Sequence, residues 1–122
     1  MSRLIISSMA VAVIAVSSLV AVTMAKAHTA QSGMEYPPQC CHSAATHKNG
    51  DCAPIDARYV TEAADGYHVE LPVGTHPQLK TQGYSGVVPY QSARDSEDGA
   101  YHICLARDGH SRFCFFAGAR LG

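Results

Sequence analysis

The sequence predicts a mostly β fold: a small, disulfide-braced antiparallel sheet of about five strands, arranged as two hairpins plus one short strand. Three observations predict it. Two runs of β-branched and aromatic residues are each interrupted by Asp-Gly, at Asp65-Gly66 and Asp108-Gly109, a strong hairpin signal. Five cysteines, Cys40, Cys41, Cys52, Cys104 and Cys114, fall into two groups far apart in the chain. No apolar stripe of helical period runs through residues 28–122.

Residues 1–27 read as a leader. A basic start at Arg3, an apolar run over residues 4–25 and the ending Ala25-Lys26-Ala27 describe a secretory signal peptide cut before His28. The apolar run is long enough to span a bilayer, but Ser7, Ser8, Ser17, Ser18 and Thr23 dilute it. Cleavage is therefore expected, with no membrane span in the mature chain. Removing 27 of 122 residues leaves 95, enough for one small domain. Without Arg3 and Lys26, seven basic residues stand against ten acidic ones, a formal charge of −3 with no Lys/Arg run. Such a chain is not expected to bind nucleic acid or anionic membrane surfaces.

A periplasmic or secreted destination makes the cysteines a disulfide framework first. A core this small gains from staples. Five is odd, so two bridges leave one thiol, which could link two chains into a dimer.

Residues 28–57 form an irregular segment containing cysteine and histidine, with a turn at Asn49-Gly50 and an extended lead at Pro54. The β domain then occupies residues 58–122. Residues 58–63 and 67–73 flank Ala64-Asp65-Gly66; a three-residue loop places Ala63, Thr61 and Tyr59 opposite Tyr67, Val69 and Leu71. Residues 75–83 read as a loop. Val87-Val88-Pro89-Tyr90 is a short strand whose proline puts it at a sheet edge or a strand end. Residues 91–99, with Asp95, Glu97 and Asp98, read as a solvated acidic connection.

The last hairpin spans residues 101–116. With Arg107-Asp108-Gly109 as a three-residue loop, Ile103 opposes Phe113, Tyr101 opposes Phe115, and one face is apolar. On the other face His102 opposes Cys114, while Cys104 and Cys114 lie diagonally, about 7 Å apart. That exceeds disulfide reach, so each is expected to bond to the upstream group: Cys52 with Cys104, and Cys40 or Cys41 with Cys114. Tyr59, Tyr67, Tyr101, Phe113 and Phe115 read as core, and Tyr36 and Phe116 as packing under the N-terminal segment. Residues 117–122 form a small-residue tail.

Two chemistries deserve weighing beside that structural reading. Cys40-Cys41-His42, His47 and Cys52, joined by His102, Cys104, His110 and Cys114, supply thiolate and imidazole donors of the kind that suit zinc or copper(I). Their spacing matches no zinc signature. His28, once exposed by cleavage, could chelate copper(II) through its α-amine and imidazole, with His47, His68 or His76 as a further donor. His28, His42, His47 and His102 are thus the candidate metal ligands, and the cofactor expectation is none, with copper or zinc as the alternative. No CxxC, G-x-S-x-G, HExxH or glycine-rich phosphate loop occurs, so catalysis is not expected.

Tyr36-Pro37-Pro38-Gln39-Cys40-Cys41, Asp51-Cys52-Ala53-Pro54, Val88-Pro89-Tyr90, and Tyr101-His102-Ile103-Cys104 followed by Cys114 carry a resemblance. Over most of residues 28–122 the chain resembles a group of small exported bacterial proteins of unknown function, with a YPxxCC segment, a DC dipeptide and a cysteine-bearing C-terminal hairpin. The stretch 42–50 spaces CC and DC more widely here. The resemblance implies export and a shared cysteine pattern, and it brings no catalytic or binding residue. The expectation is a non-enzymatic exported domain with a structural or binding role, its partner an envelope or extracellular component; the alternative is a periplasmic copper or zinc protein.

Overall fold

The computed structural model describes residues 29–41 and 51–118. Residues 1–27, read as a leader, together with His28, His42, His47, the turn expected at Asn49-Gly50 and the last four residues, lie outside the described residues.

Seven strands build two sheets: β1 (Cys52–Ile55), β2 (Val60–Ala63), β3 (Gly66–Leu71), β4 (Tyr84–Val88), β5 (Arg94–Asp95), β6 (Tyr101–Leu105) and β7 (Arg112–Ala117). One sheet has the order β1-β6-β7-β5 and the other β2-β3-β4. The mostly β, disulfide-braced class is the expected one. Its strand count exceeds five because β1 falls in the segment read as irregular, and the two-residue β5, parallel to β7, falls in the acidic connection. The strand expected from residue 58 begins only at Val60. Asp56 accepts a hydrogen bond from the Arg58 N–H at 2.9 Å and holds Ala57–Tyr59 in a single 3-10 turn.

The period of two explains how the larger sheet serves two layers. Tyr101, Ile103 and Leu105 point one way from β6, with Ile55, Phe115 and Ala117 beside them, and pack on Tyr67, Val69, Leu71, Tyr84 and Val88 of the smaller sheet. His102 and Cys104 point the other way, beside Cys52, Cys114 and Phe116. The 29–41 segment covers this outer face, burying Ala30, Met34, Tyr36 and Cys40 against it. Phe116 packs under that segment as expected, 3 % exposed, and Tyr36 is buried on the segment's own inner side, 2 % exposed.

Both hairpin registers differ from the sequence reading. In the first, Val60 pairs with Val69 and Ala63 with Gly66, so the loop is Ala64-Asp65 alone and β2 is slipped by one residue. Tyr67 is core as expected, joined there by Val69 and Leu71, while Tyr59 and Tyr101 are partly buried against that core and Val60 faces Val69 across the pair. Gly66 serves close approach here: at φ +142°, a Cβ on it would lie 2.2 Å from the Val88 carbonyl oxygen.

In the last hairpin the loop holds four residues, 107–110, closed by the Ala106 N–H on the Ser111 carbonyl at 2.8 Å. Asp108 lengthens it, because its carboxylate accepts from the His110 and Ser111 N–H groups at 2.8 and 2.9 Å. A bulge then follows: Leu105 pairs with Arg112 and Cys104 with Cys114, leaving Phe113 as the extra residue. Phe113, expected in the core, is exposed, and Phe115 takes its place opposite Ile103. His102 accordingly opposes Phe116 instead of Cys114, and Cys104 and Cys114 are directly opposite instead of diagonal. Pro89 ends β4, an edge strand, and opens the 3-10 turn Tyr90–Ser92.

Candidate functional site

The outer face of the larger sheet gathers the sulfur atoms. Disulfides join Cys40 to Cys114 and Cys52 to Cys104, with Cα separations of 5.4 and 3.9 Å. These are pairs anticipated from the sequence, though the ground differs, since Cys104 and Cys114 face one another and each is nevertheless bonded elsewhere. Cys41 is the fifth cysteine and lies outside both bridges, half-buried. The turn Pro38–Cys40 holds it, as the Cys41 N–H donates to the Pro38 carbonyl at 3.1 Å. Its sulfur lies 3.8 Å from the Cys52 sulfur. A disulfide sulfur carries no proton, so the Cys41 thiol is the donor in that contact.

Beside the sulfurs runs a polar chain that starts at two buried residues, Tyr36 and His102, and ends at exposed Asp98. Tyr36 donates its hydroxyl to His102 Nδ1 at 2.8 Å, and His102 Nε2 donates to the Asp98 carboxylate at 2.8 and 3.0 Å. An ionised carboxylate only accepts, so the ring proton facing Asp98 is on Nε2, and in that tautomer Nδ1 receives the tyrosine hydroxyl. Asp98 also accepts from Ser32 Oγ at 2.5 Å, Ser96 Oγ at 2.7 Å and the Ala100 N–H at 3.0 Å. The Ser32 hydroxyl, followed by His102 and Ser96, holds the Asp98 carboxyl well below the usual carboxylate range. Burial, followed by the nearby charges of Asp98 and Cys41, pushes the Tyr36 phenol above its ordinary value. The phenol thus stays protonated, as its donor role requires. Asp98 lies in the solvated acidic connection as expected, an exposed residue whose carboxylate nevertheless binds three parts of the chain.

The candidate metal ligands separate accordingly. His102 is fully buried with both ring nitrogens engaged, by Tyr36 and Asp98, so neither offers a lone pair to a metal in this arrangement. His28, His42 and His47 lie outside the described residues. His68 pairs with Asp65 at 2.7 Å. His76, 3 % exposed, contacts the Ile103 carbonyl through Nε2 at 3.1 Å and accepts the Gln78 N–H on Nδ1 at 3.1 Å. Burial lowers its pKa. Among the described residues no three His, Cys, Asp or Glu side chains form a metal-holding group. A cavity of about 190 Å³ between the sheets, lined by Tyr67, Tyr90, Arg94 and Asp95, is smaller than a typical small-molecule site.

Sequence reasoning missed Asp98 and Tyr36 as the partners of His102. The Asp98-Gly99 turn, four residues before His102, was a usable local signal. Tyr36 lies 66 residues from His102 and carried none.

Two disulfides fit a protein of a non-cytoplasmic compartment. No described helix is long and apolar enough to cross a membrane. Comparison with protein-family models, with curated proteins and with solved structures finds no match.

Proposed function

We propose that the protein is a non-enzymatic domain, exported to the periplasm or secreted, with a structural or binding role among envelope or extracellular components. The observation that carries this reading is the way the reactive-looking groups serve one another. Tyr36, within the segment strapped down by Cys40–Cys114, bonds to His102, and His102 bonds to Asp98, the use expected of a structural brace. A catalytic acid or base needs reach to a substrate, and the His102 ring is enclosed. The leader-like residues 1–27 and the resemblance to small exported proteins point to the same compartment.

The reading is tested on protein recovered from its own cells without reductant. N-terminal sequencing should begin at His28, and titration in denaturant should find one thiol per chain, with no stoichiometric metal. Three or more thiols together with stoichiometric copper or zinc would reverse the conclusion in favour of a metal-binding protein. A doubled mass that collapses on reduction would identify a dimer linked through Cys41.

A further inference from the structure

The vicinal pair Cys40-Cys41 straddles the second disulfide. Cys40 is bonded to Cys114, and its carbonyl oxygen lies 3.6 Å from the Cys52 sulfur, while the Cys41 sulfur lies 3.8 Å from that same atom. One bridge therefore pins a thiol against the other bridge, at about van der Waals contact between sulfurs. The 3-10 turn that ends at Cys40 and receives the Cys41 N–H fixes the backbone on the same side. Holding a nucleophile against its target replaces a bimolecular encounter with an effectively unimolecular one.

We propose that Cys41, Cys52 and Cys104 form an intramolecular thiol–disulfide exchange site. The Cys41 thiol loses its proton to solvent, and the thiolate attacks Cys52 Sγ. The Cys41–Cys52 bond forms as the Cys52–Cys104 bond breaks; the electron pair leaves on Cys104, which takes up a proton. One thiol and one disulfide enter and one of each leaves, so no oxidant or reductant is consumed. The exchange moves the thiol from half-buried Cys41 to fully buried Cys104, on the central strand β6 and directly opposite Cys114. It also releases the covalent tie between β1 and β6, leaving only the antiparallel pairing of Cys52–Ile55 with that strand. The new bridge would span 11 residues in place of 52. The site stands independently of the structural or binding role proposed above, because it depends only on sulfur positions.

Disulfide mapping decides it. The folded, non-reduced full chain is incubated at mildly alkaline pH, quenched in acid, alkylated under acidic denaturing conditions with N-ethylmaleimide, and digested without reduction. The expected result is a Cys41–Cys52 peptide together with label on Cys104, appearing at a rate independent of protein concentration. In Cys41→Ser both signals should be lost. Label confined to Cys41 overturns the proposal, and so does Cys104 label whose rate scales with protein concentration, which marks exchange between molecules. As a second variant, Cys104→Ser refolded in a glutathione redox buffer should carry a Cys41–Cys52 bond. Recovery of folded Cys104→Ser with both as thiols also overturns it, and if that variant does not fold, the wild-type map decides alone.

Discussion

Asp98 accepts four kinds of donor, from Ser32, Ser96, the Ala100 backbone and His102, and its depressed carboxyl pKa is the thermodynamic mark of those bonds. A carboxyl whose folded value lies below its unfolded one contributes stability that is complete above the unfolded value, near pH 4. That contribution is lost as pH falls through the folded value. Acid titration of urea stability should therefore show a decline beginning near pH 4, and Asp98→Asn should be less stable at pH 7 but fall less steeply below pH 4. An unchanged acid limb in that variant would show that the carboxylate is not the linked group. At the other end of the chain, Tyr36→Phe removes only the hydroxyl that His102 Nδ1 receives. Leaving a buried acceptor unsatisfied costs about 1 to 3 kcal/mol, measurable as a lowered urea midpoint with an unchanged m-value. His76 follows a similar sign: burial lowers its pKa, so its neutral form is the one folding favours. The stability it contributes is present above the unfolded imidazole value and declines as pH falls below it.

At the scale of strands, the two hairpins make opposite use of their Asp-Gly pairs. Gly66 sits within β3 against the Val88 carbonyl, and Gly109 sits in a four-residue loop at φ +69°. Gly66→Ala forces the β3–β4 backbones apart and should cost about 2 to 3 kcal/mol, near the upper end of ordinary single substitutions. The bulge in β7 gives a sharper contrast. Phe113→Ser, on a ring 38 % exposed, should cost about 1 kcal/mol, the ordinary loss for a single substitution. Phe115→Ala, which empties a fully buried site, should cost about 3 to 5 kcal/mol. Equal losses in chemical denaturation would restore the register in which Phe113 packs inward. The alternation of apolar and polar residues on β6 could be read from sequence, because every side chain there obeys the period of two. The position of β7 against it could not, because the Asp108 carboxylate and the bulge together displace the pairing.

Across the whole molecule, two cross-links tie the 29–55 region to the final hairpin over sequence separations of 74 and 52 residues. Loops of that size correspond to about 4 kcal/mol each in the chain-entropy model, less for the second because the first already closes a surrounding loop. A small domain has about 5 to 15 kcal/mol in all. Replacing Cys40 and Cys114 together by alanine should therefore cost about 2 to 5 kcal/mol, and reduction of both bridges should abolish the cooperative thermal transition seen by circular dichroism. A reduced protein melting within a few degrees of the oxidised one would show that packing alone holds the N-terminal segment to the sheet.

What the sequence determined by itself was the part written in local patterns: the strand-forming runs, their buried faces on β3 and β6, the turn sites, and a cysteine distribution that demanded long-range bridging. The tertiary structure alone decided the register within each hairpin, the split into two sheets, and the closing of the Tyr36–His102–Asp98 chain. Those outcomes turn on distances between atoms dozens of residues apart. Gly66 has no role until Val88 lies against it, and Asp98 is an ordinary acidic loop residue until Ser32 and His102 arrive. Local preference limits what a segment can become; contact between distant segments selects among the remaining options, because the slip of β2 and the bulge of β7 are decided by what the assembled sheets and loops meet.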